Sequence, residues 1–376
     1  MEMNQKKSLQ KLSEAYHNPH IVSQNTYRRN RQVIGCLSEN VPLEIVYAAD
    51  IIPVLIQGGD VDTMASLHLQ QFTCSYARAA IHRAMSAEYE YLDGLIAAKT
   101  CDVGLSLFQI WSDLRSPKFN RLISLPGNCD AEAISYLRDE LATFMAALET
   151  YMGITISDEK LLESISLYND LRAAGEKIWR YGSIDSKPLS ASDIIKAIKG
   201  SQILPPSDSL EMLNSLIDEE GIERNDSDPD TPRIMLLGNS YADMSLIDII
   251  EDQGARVVYD NTTSTGRYLG PNIEVEDDPL SALARHYACK VTGCYRLSYE
   301  ERWQNIRDAI RMWDINSCII MVQKYCDTSL FEVPLVEASL SQINIPCITL
   351  EIDDTSPGIS QMETRVQAFI EMIGGI

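Results

Sequence analysis

The sequence predicts an α/β protein with two similar doubly wound parallel sheets and a helical insert between them. Three observations support this class. Short apolar runs alternate with amphipathic stretches at both ends of the 376-residue chain, as strands alternate with crossover helices in parallel sheets. The middle of the chain carries helical periodicity without strand-like runs. Residues 95–102 and 320–327 match one another, because each is an apolar run that ends in Lys-x-Cys-Asp.

Residues 1–150 are predicted to form the first Rossmann-like α/β domain, which carries Cys74 and Cys101. A polar helix opens the chain, and glycine or proline pairs end two of the strands. The predicted strands are 32–36, 51–56, 94–98 and 122–125, and the predicted helices are 42–49, 76–87, 103–114 and 130–151.

Residues 151–230 are predicted to be a helical segment and linker, with helices at 158–179 and 190–198. The stretch 218–233 is acidic and contains two prolines, which is typical of a linker. Residues 231–376 are predicted to form a second α/β domain, which carries Cys326. Its predicted strands are 234–238, 256–259, 318–322 and 347–352, and its predicted helices are 244–253, 279–289, 299–313, 330–343 and 361–373.

Composition excludes several classes of partner. The chain carries 54 acidic and 32 basic residues, a net charge of −22, which repels nucleic acid and anionic membrane surfaces. The longest apolar stretch, 45–56, is interrupted by Asp50 and Pro53 and is too short to cross a bilayer. We therefore expect a cytoplasmic protein that binds neither nucleic acid nor membrane. Its nine cysteines are expected to be reduced thiols or metal ligands rather than disulfides.

Three of the cysteines, Cys74, Cys101 and Cys326, each precede a predicted helix. The backbone N–H groups and the dipole at a helix start stabilise a thiolate, so a cysteine there is a good metal ligand. The spacing contains no Cys-x-x-Cys pair, and three ordinary buried cysteines would give the same pattern. Cys36 at a strand end and Cys294 in a loop are further candidates with the same alternative. The residues alone leave both a metal site and a core role open.

Longer stretches around these cysteines resemble one family. In the first half they read VIGCLSENVPLEIVYAADIIPVLIQGG, QQFTCSYARAAIH and YLDGLIAAKTCD. In the second half they read RIMLLGNSYADMSLIDIIEDQGARVVYD, VQKYCDTSLFEVPLVEASLSQINIPCITLEID and ISQMETRVQAFIEMI. Their order and spacing resemble the subunits of 2-hydroxyacyl-CoA dehydratases and ATP-dependent benzoyl-CoA reductases, and the smaller, beta-type subunit is the nearest likeness. The resemblance covers most of the chain, although the helical middle matches only in general character.

The resemblance implies a cofactor and a reaction. In that family one cysteine from each motif holds a 4Fe-4S cluster, so Cys74, Cys101 and Cys326 are the implied ligands. The implied enzyme is an oxygen-sensitive lyase of anaerobic metabolism. It removes water from a 2-hydroxyacyl-CoA thioester, by syn- or anti-elimination, through a ketyl radical made by adding one electron to the thioester carbonyl.

The resemblance also implies partners. The electron comes from a separate ATP-dependent iron–sulfur activator, and the dehydratase assembles as a dimer with a homologous second subunit or a second copy of itself. This chain has neither a phosphate-binding loop of the G-x-x-x-x-G-K-S/T type nor a G-x-G-x-x-G fingerprint. It therefore resembles the cluster-bearing subunit and not the ATPase.

Polar residues near the first strand acquire implied roles as well. Glu44, at a helix start, matches a glutamate common in the family and is predicted to be catalytic, although a helix dipole also favours a first-turn carboxylate. Ser38 and Asn40 follow the first strand and are predicted to hydrogen-bond substrate, with Ser38 as the second catalytic candidate. The family usually has glycine where this chain has Asp50, and we expect that charge to alter a turn or the entrance of the cleft.

Three alternatives stay open. A subunit of an ATP-dependent benzoyl-CoA reductase would use the same radical strategy and keep the electrons in its product. A non-catalytic subunit would use its cluster only to relay electrons or to stabilise its partner. A serine hydrolase would use Ser240, which follows a strand as in a nucleophile elbow, but Ala242 replaces the second glycine of that motif and His286 is the only later histidine.

Overall fold

The computed structural model of the protein describes residues 2–20, 31–58, 68–70, 72–86, 88–182, 189–217, 231–239, 241, 243–276, 278–291, 293, 296, 298–353 and 359–374. It contains two four-stranded sheets in which all neighbouring strands are parallel. The predicted α/β class with two parallel sheets is therefore confirmed. Within the described residues, no helix has both the length and the apolar character that a bilayer span requires.

The first sheet comes from the amino-terminal part of the chain. Its strands are β1 (Gln32–Cys36), β2 (Ile51–Leu55), β3 (Gly94–Ala98) and β4 (Phe119–Ile123), in the order β2-β1-β3-β4. All but β4 are almost completely buried, which is typical of parallel strands with helices on both faces. Because the strand order reverses between β1 and β3, their carboxyl ends open a crevice suited to a ligand. The helices of this part are α1 (Glu2–His17), α2 (Leu43–Ala48), α3 (Ser75–Met85) and α4 (Asp102–Arg115).

Within the described residues, four helices separate the two sheets in sequence. They are α5 (Ala131–Met152), α6 (Asp158–Gly182), α7 (Ala191–Ser201) and α8 (Pro206–Leu216). α6 packs against α2 and against the edge strand of the second sheet, so the apolar side chains of both parts join in one core. The helix α8 was missed, and its signal is the proline at its first position. The predicted domain boundaries, and the interpretation of 151–230 as an insert, stay predictions.

The second sheet repeats the topology of the first. Its strands are β5 (Arg233–Gly238), β6 (Arg256–Thr262), β7 (Ser317–Gln323) and β8 (Cys347–Ile352), in the order β6-β5-β7-β8. The reversal therefore falls between β5 and β7, as it falls between β1 and β3 in the first sheet. The helices here are α9 (Ser245–Asp252), α10 (Gly266–Leu269), α11 (Pro279–Cys289), α12 (Tyr299–Met312), α13 (Asp327–Gln342) and α14 (Ile359–Gly374).

The strand β4 begins three residues before the predicted strand at 122–125 and ends two residues before it does. Its register is set by pairing with β3, which aligns Phe119 with Gly94 and Ile123 with Ala98. β4 is an edge strand, and its second residue, Asn120, is exposed. The apolar run that sequence reasoning detects therefore begins only after the strand has started.

The expectation that all nine cysteines stay reduced is wrong for one pair. Cys129 and Cys289 form a disulfide, with their Cα atoms 5.0 Å apart. Cys129 lies just before α5 and Cys289 ends α11, and these two helices pack together. The redox conditions of a cellular compartment do not determine which thiols the fold brings together.

Asp50 forms the turn between α2 and β2. Its φ is 61°, in the left-handed region where a side chain is strained and glycine is not, so the family's glycine fits this position. The Asp50 carboxylate is largely exposed and pairs with Arg31 at 3.1 Å. Asp50 precedes the amino end of β2, whereas the crevices lie at the carboxyl ends of the strands. The expectation that Asp50 alters a turn agrees with the structure. The expectation that Asp50 alters the entrance of the cleft is wrong.

We predict that substitutions of Asp50 rank in stability as glycine, then aspartate, then alanine. Alanine in the left-handed region costs about 1–2 kcal/mol, and the exposed pair with Arg31 contributes at most about 1 kcal/mol. Urea unfolding of Asp50→Gly, Asp50→Ala and Asp50→Asn measures this, with Asn as the control that removes only the charge. An alanine variant as stable as the glycine variant would contradict the prediction.

Candidate functional site

A cleft lies where the carboxyl ends of the two sheets face one another. Its walls come from residues that end or follow β1, β2 and β3 on one side and β5, β6 and β7 on the other. Its cavity volume is about 190 Å³, below the roughly 300–1,000 Å³ of pockets for drug-sized ligands. The cleft therefore suits a compact group rather than an entire large ligand.

All three predicted cluster cysteines line this cleft. Cys74, Cys101 and Cys326 are the residues immediately before α3, α4 and α13, and each occupies the N-cap position of its helix. The prediction that each lies at a junction into a helix is confirmed. Two of them follow equivalent strands of the two sheets, β3 and β7, so the internal match in the sequence reflects equivalent positions in the fold. Their role as ligands stays a prediction.

Backbone and side-chain donors surround two of these sulfur atoms. The Gly104 N–H donates to Cys101 Sγ at 3.3 Å, closing the first turn of α4. A Cβ at Gly104 would lie 3.2 Å from Thr100 Oγ1, so the turn is tight. On the opposite wall, Asn239 Nδ2 donates to Cys326 Sγ at 3.6 Å.

For two of these cysteines, burial raises the pKa more than the backbone N–H groups at the helix start lower it. Burial raises the pKa of the free Cys74 thiol to about 12, although a hydrogen bond from the Ala77 backbone lowers it. Burial likewise raises the pKa of Cys101, against the lowering effect of the Gly104 N–H. The neighbouring Cys326 raises both pKa values further. The three thiols therefore lie close enough to influence one another, and each of them binds a metal as the thiolate.

One carboxylate links the two sides of the cleft. Asp353, which follows β8, accepts a hydrogen bond from Arg78 of α3 at 3.2 Å and lies 3.9 Å from the Lys324 ammonium group. Arg78 is one turn into the helix that starts at Cys74, and Lys324 lies two residues before Cys326. The ion pairs therefore connect the segments that carry Cys74 and Cys326 to the same carboxylate.

The two predicted catalytic residues lie in different places. Ser38 lines the cleft, and its Oγ accepts the Asn40 N–H at 3.1 Å. Glu44 does not line it, because its carboxylate is fully buried in a small adjoining cavity. There it pairs with Arg172 of α6 and accepts a hydrogen bond from the Tyr287 hydroxyl at 2.8 Å.

Sequence reasoning missed several polar residues of the cleft, among them Glu39 and Asn239. Glu39 lines the cleft beside Ser38, and its position next to Ser38 is the only sequence feature that could have identified it. Asn239 lines the opposite wall, and its signal is its place directly after the strand β5. Both follow the carboxyl end of a strand next to the reversal of strand order, which is where ligands of such sheets bind.

The remaining candidates do not add to the cleft. Cys36 is buried at the end of β1 and is absent from the cleft walls. Cys294 and Ser240 lie outside the described residues, and His286 lines a separate cavity beyond α11. Throughout the described part of the chain, no three histidine, cysteine or carboxylate side chains stand close enough to share a single metal ion.

Fold and site together define a class of protein, namely an α/β chain of two parallel sheets with a three-cysteine cleft between their carboxyl ends. The family model described as 2-hydroxyglutaryl-CoA dehydratase, D-component, matches residues 39–373. The chain belongs to this family, and the resemblance seen in the sequence motifs is confirmed.

Named relatives match over nearly their whole length. A benzoyl-CoA reductase subunit of Thauera aromatica is 23% identical over 354 residues, which cover 92% of this chain and 91% of the relative. The (R)-phenyllactyl-CoA dehydratase beta subunit of Clostridium sporogenes is 22% identical over 347 residues, covering 91% and 92%. The lactoyl-CoA dehydratase beta subunit of Anaerotignum propionicum is 24% identical over 354 residues, covering 90% and 91%.

We predict that Glu44→Gln lowers the free energy of unfolding by about 3–5 kcal/mol, because it leaves the buried Arg172 guanidinium without its counter-charge. The matched control is Glu176→Gln, which breaks an exposed pair with Arg180 one helical turn away and should cost about 0.5 kcal/mol or less. Chemical denaturation of both variants measures the difference. Equal losses below about 1 kcal/mol in the two variants would contradict the buried pairing.

Proposed function

We propose that the chain is the iron–sulfur subunit of a 2-hydroxyacyl-CoA dehydratase, a hydro-lyase of anaerobic metabolism. The observation that carries this proposal is that Cys74, Cys101 and Cys326, from three different helices, line one cleft between the sheets. Membership of the dehydratase family supports it, as do the two dehydratase beta subunits among the relatives.

The donor set fits a 4Fe-4S cluster, with Cys74, Cys101 and Cys326 as the residues that would hold it. Thiolates are the usual ligands of such clusters, and among the described residues no fourth cysteine lines the cleft. This chain would then supply three thiolate ligands. The ligands of a single metal ion all lie within about 2.3 Å of it. A four-iron cluster is larger, so its cysteine ligands can lie farther apart than the ligands of one ion. When bound, the cluster would supply one electron and Lewis acidity toward a substrate oxygen.

The chain's own residues would bind the acyl end of the thioester and exclude water. The cleft walls are largely apolar, and Leu37, Ile56 and Leu107 among them are buried. We assign Ser38 to hydrogen bonding with a substrate oxygen, since its hydroxyl lies at the cleft. We assign Glu44 to positioning rather than to contact with substrate, because its carboxylate is held by buried partners on α6 and α11.

The proposed reaction is redox-neutral. One electron from an ATP-dependent iron–sulfur protein is added to the thioester carbonyl, giving a ketyl. The 2-hydroxyl leaves as hydroxide, and the proton on the 3-carbon becomes acidic enough for a base to remove. The electron is then returned, so that the products are a 2,3-unsaturated thioester and water.

A second candidate is a subunit of an ATP-dependent benzoyl-CoA reductase, which is favoured by the match to the Thauera aromatica reductase subunit. In that case two electrons would stay in the reduced ring of the product. In both cases we propose assembly with a homologous second subunit or a second copy of this chain. As a non-catalytic alternative, the chain would be a subunit that only relays electrons within such a complex.

We predict about four irons and four acid-labile sulfides per chain in protein purified without oxygen. Cys74→Ala, Cys101→Ala and Cys326→Ala should each lose most of this iron, whereas Cys347→Ala, a strand cysteine outside the cleft, should keep it. Iron and sulfide assays after anaerobic reconstitution provide the measurement. Iron-free wild-type protein, or equal iron in all four variants, would refute the assignment.

We predict that the complete complex, with its electron donor and ATP, converts a 2-hydroxyacyl-CoA into the 2,3-unsaturated thioester without net consumption of electrons. Chromatographic product analysis with lactoyl-, phenyllactyl- and 2-hydroxyglutaryl-CoA tests this, and benzoyl-CoA serves as the comparison. Stoichiometric electron consumption with benzoyl-CoA alone would instead establish the reductase.

A further inference from the structure

We propose that Gln202 and Ser264 bind the 2-hydroxyl group of the acyl chain and make the cleft selective for 2-hydroxy thioesters. This inference rests on the proposed dehydratase function, because it names the substrate group that the same cleft recognises. It concerns two residues that neither the sequence motifs nor the family match singled out. Both line the cleft.

Each of these two side chains has a buried polar atom that lacks a hydrogen bond. In the described part of the chain, Gln202 Oε1 and Ser264 Oγ are buried and have no hydrogen-bond partner. Gln202 as a whole is only 4% exposed. A buried polar atom without a partner destabilises a fold, so two such atoms on the wall of a cleft point to a ligand that supplies the missing bonds.

The two residues are neighbours and lie between the two sheets. Gln202 Nε2 donates to the Ser264 carbonyl oxygen at 2.6 Å. The Leu55 N–H donates to the Gln202 carbonyl oxygen at 3.1 Å. Leu55 ends β2 and Ser264 follows β6, so Gln202 connects the carboxyl ends of the edge strands of both sheets.

The loop that carries Ser264 is fixed by buried hydroxyl groups. Thr265 Oγ1 donates to the Asp260 carbonyl oxygen at 3.1 Å, and a second hydrogen bond of 3.1 Å joins the Thr262 and Thr265 hydroxyls. Asp260, Thr262 and Thr265 are fully buried. A ligand that reaches Ser264 therefore meets a hydroxyl on a rigid loop, and such preorganisation favours selective binding.

The chemistry of the two atoms selects a hydroxyl group as their ligand. An amide oxygen only accepts hydrogen bonds, whereas a serine hydroxyl both donates and accepts. A ligand hydroxyl donates to Gln202 Oε1 and accepts from Ser264 Oγ through a single oxygen. A thioester carbonyl or a carboxylate only accepts, so it leaves Gln202 Oε1 unbonded. At the reacting end of the thioester, the 2-hydroxyl is the group that fits both atoms.

The test is a binding measurement with pairs of thioesters that differ only in the 2-hydroxyl. The pairs are lactoyl-CoA with propionyl-CoA, phenyllactyl-CoA with 3-phenylpropionyl-CoA, and 2-hydroxyglutaryl-CoA with glutaryl-CoA. Anaerobic calorimetry uses the cluster-loaded complex with its partner subunit, without ATP, so that no turnover occurs. The wild type should bind at least one hydroxy thioester about 100-fold or more tightly than its counterpart, because a site built for a hydroxyl rejects the analogue that lacks it.

Two variants remove one hydrogen bond each. Ser264→Ala removes the hydroxyl and keeps the backbone contact with Gln202, and Gln202→Met removes the accepting oxygen at similar size. Each should lower the preference for the hydroxy thioester by about tenfold, while its counterpart binds as before. The matched control is Thr263→Val, which changes a neighbouring hydroxyl of the cleft and should leave the preference within about twofold of the wild type.

Equal binding of both members of every pair by the wild type, as in a site that only binds water, would overturn the assignment. An unchanged preference in Ser264→Ala, or weaker binding of both members by the same factor, would also overturn it, and this variant decides the question if Gln202→Met does not fold. These results leave dehydration by the complete complex intact. A wild-type complex with full iron that dehydrates none of the three hydroxy thioesters would instead overturn the proposed dehydratase function, and the assignment with it.

Discussion

The structure depends on two parallel sheets of identical strand order that present their carboxyl ends to one another. Parallel strands need crossover helices, so each sheet starts several helices at its carboxyl edge. Cys101 and Cys326 begin two such helices, and Cys74 begins a third. The helix α6, packed between α2 and β6, holds the two sheets against a shared core. Three thiols reach one cleft because of this arrangement, and not because of their spacing in sequence.

Buried charge follows a consistent rule around the cleft. The carboxylates of its surroundings contact arginine or lysine, as burial of an ionised group requires: Glu44 is paired with Arg172, Glu332 with Arg302, and Asp353 with both Arg78 and Lys324. These pairs join segments that are far apart in sequence, so they hold the walls of the cleft together. Glu39 lies on the loop after β1 and lines the cleft.

Much of this fold follows from local sequence patterns. The run at 94–98 is a buried strand because it is apolar throughout, and proline at the start of α11 marks a helix. The position of the edge strand β4 was predicted too late in the sequence, because its first residues do not form an apolar run. The disulfide depends on the packing of two helices, which no local sequence pattern encodes. At the site, helix-start cysteines were recognisable. The separation of Glu44 from the cleft could not be recognised, because a glutamate in the first turn of a helix gives the same sequence pattern whether it faces a ligand or a buried arginine.

The most direct test of the account is the position of iron in crystals grown without oxygen, located by anomalous diffraction at the iron edge. The account predicts one compact iron site per chain, in the cleft, within bonding distance of Cys74, Cys101 and Cys326 Sγ, with Ser38 lining the same cavity. Iron bound elsewhere on the chain, or a cleft filled by side chains with no iron after reconstitution, would contradict it.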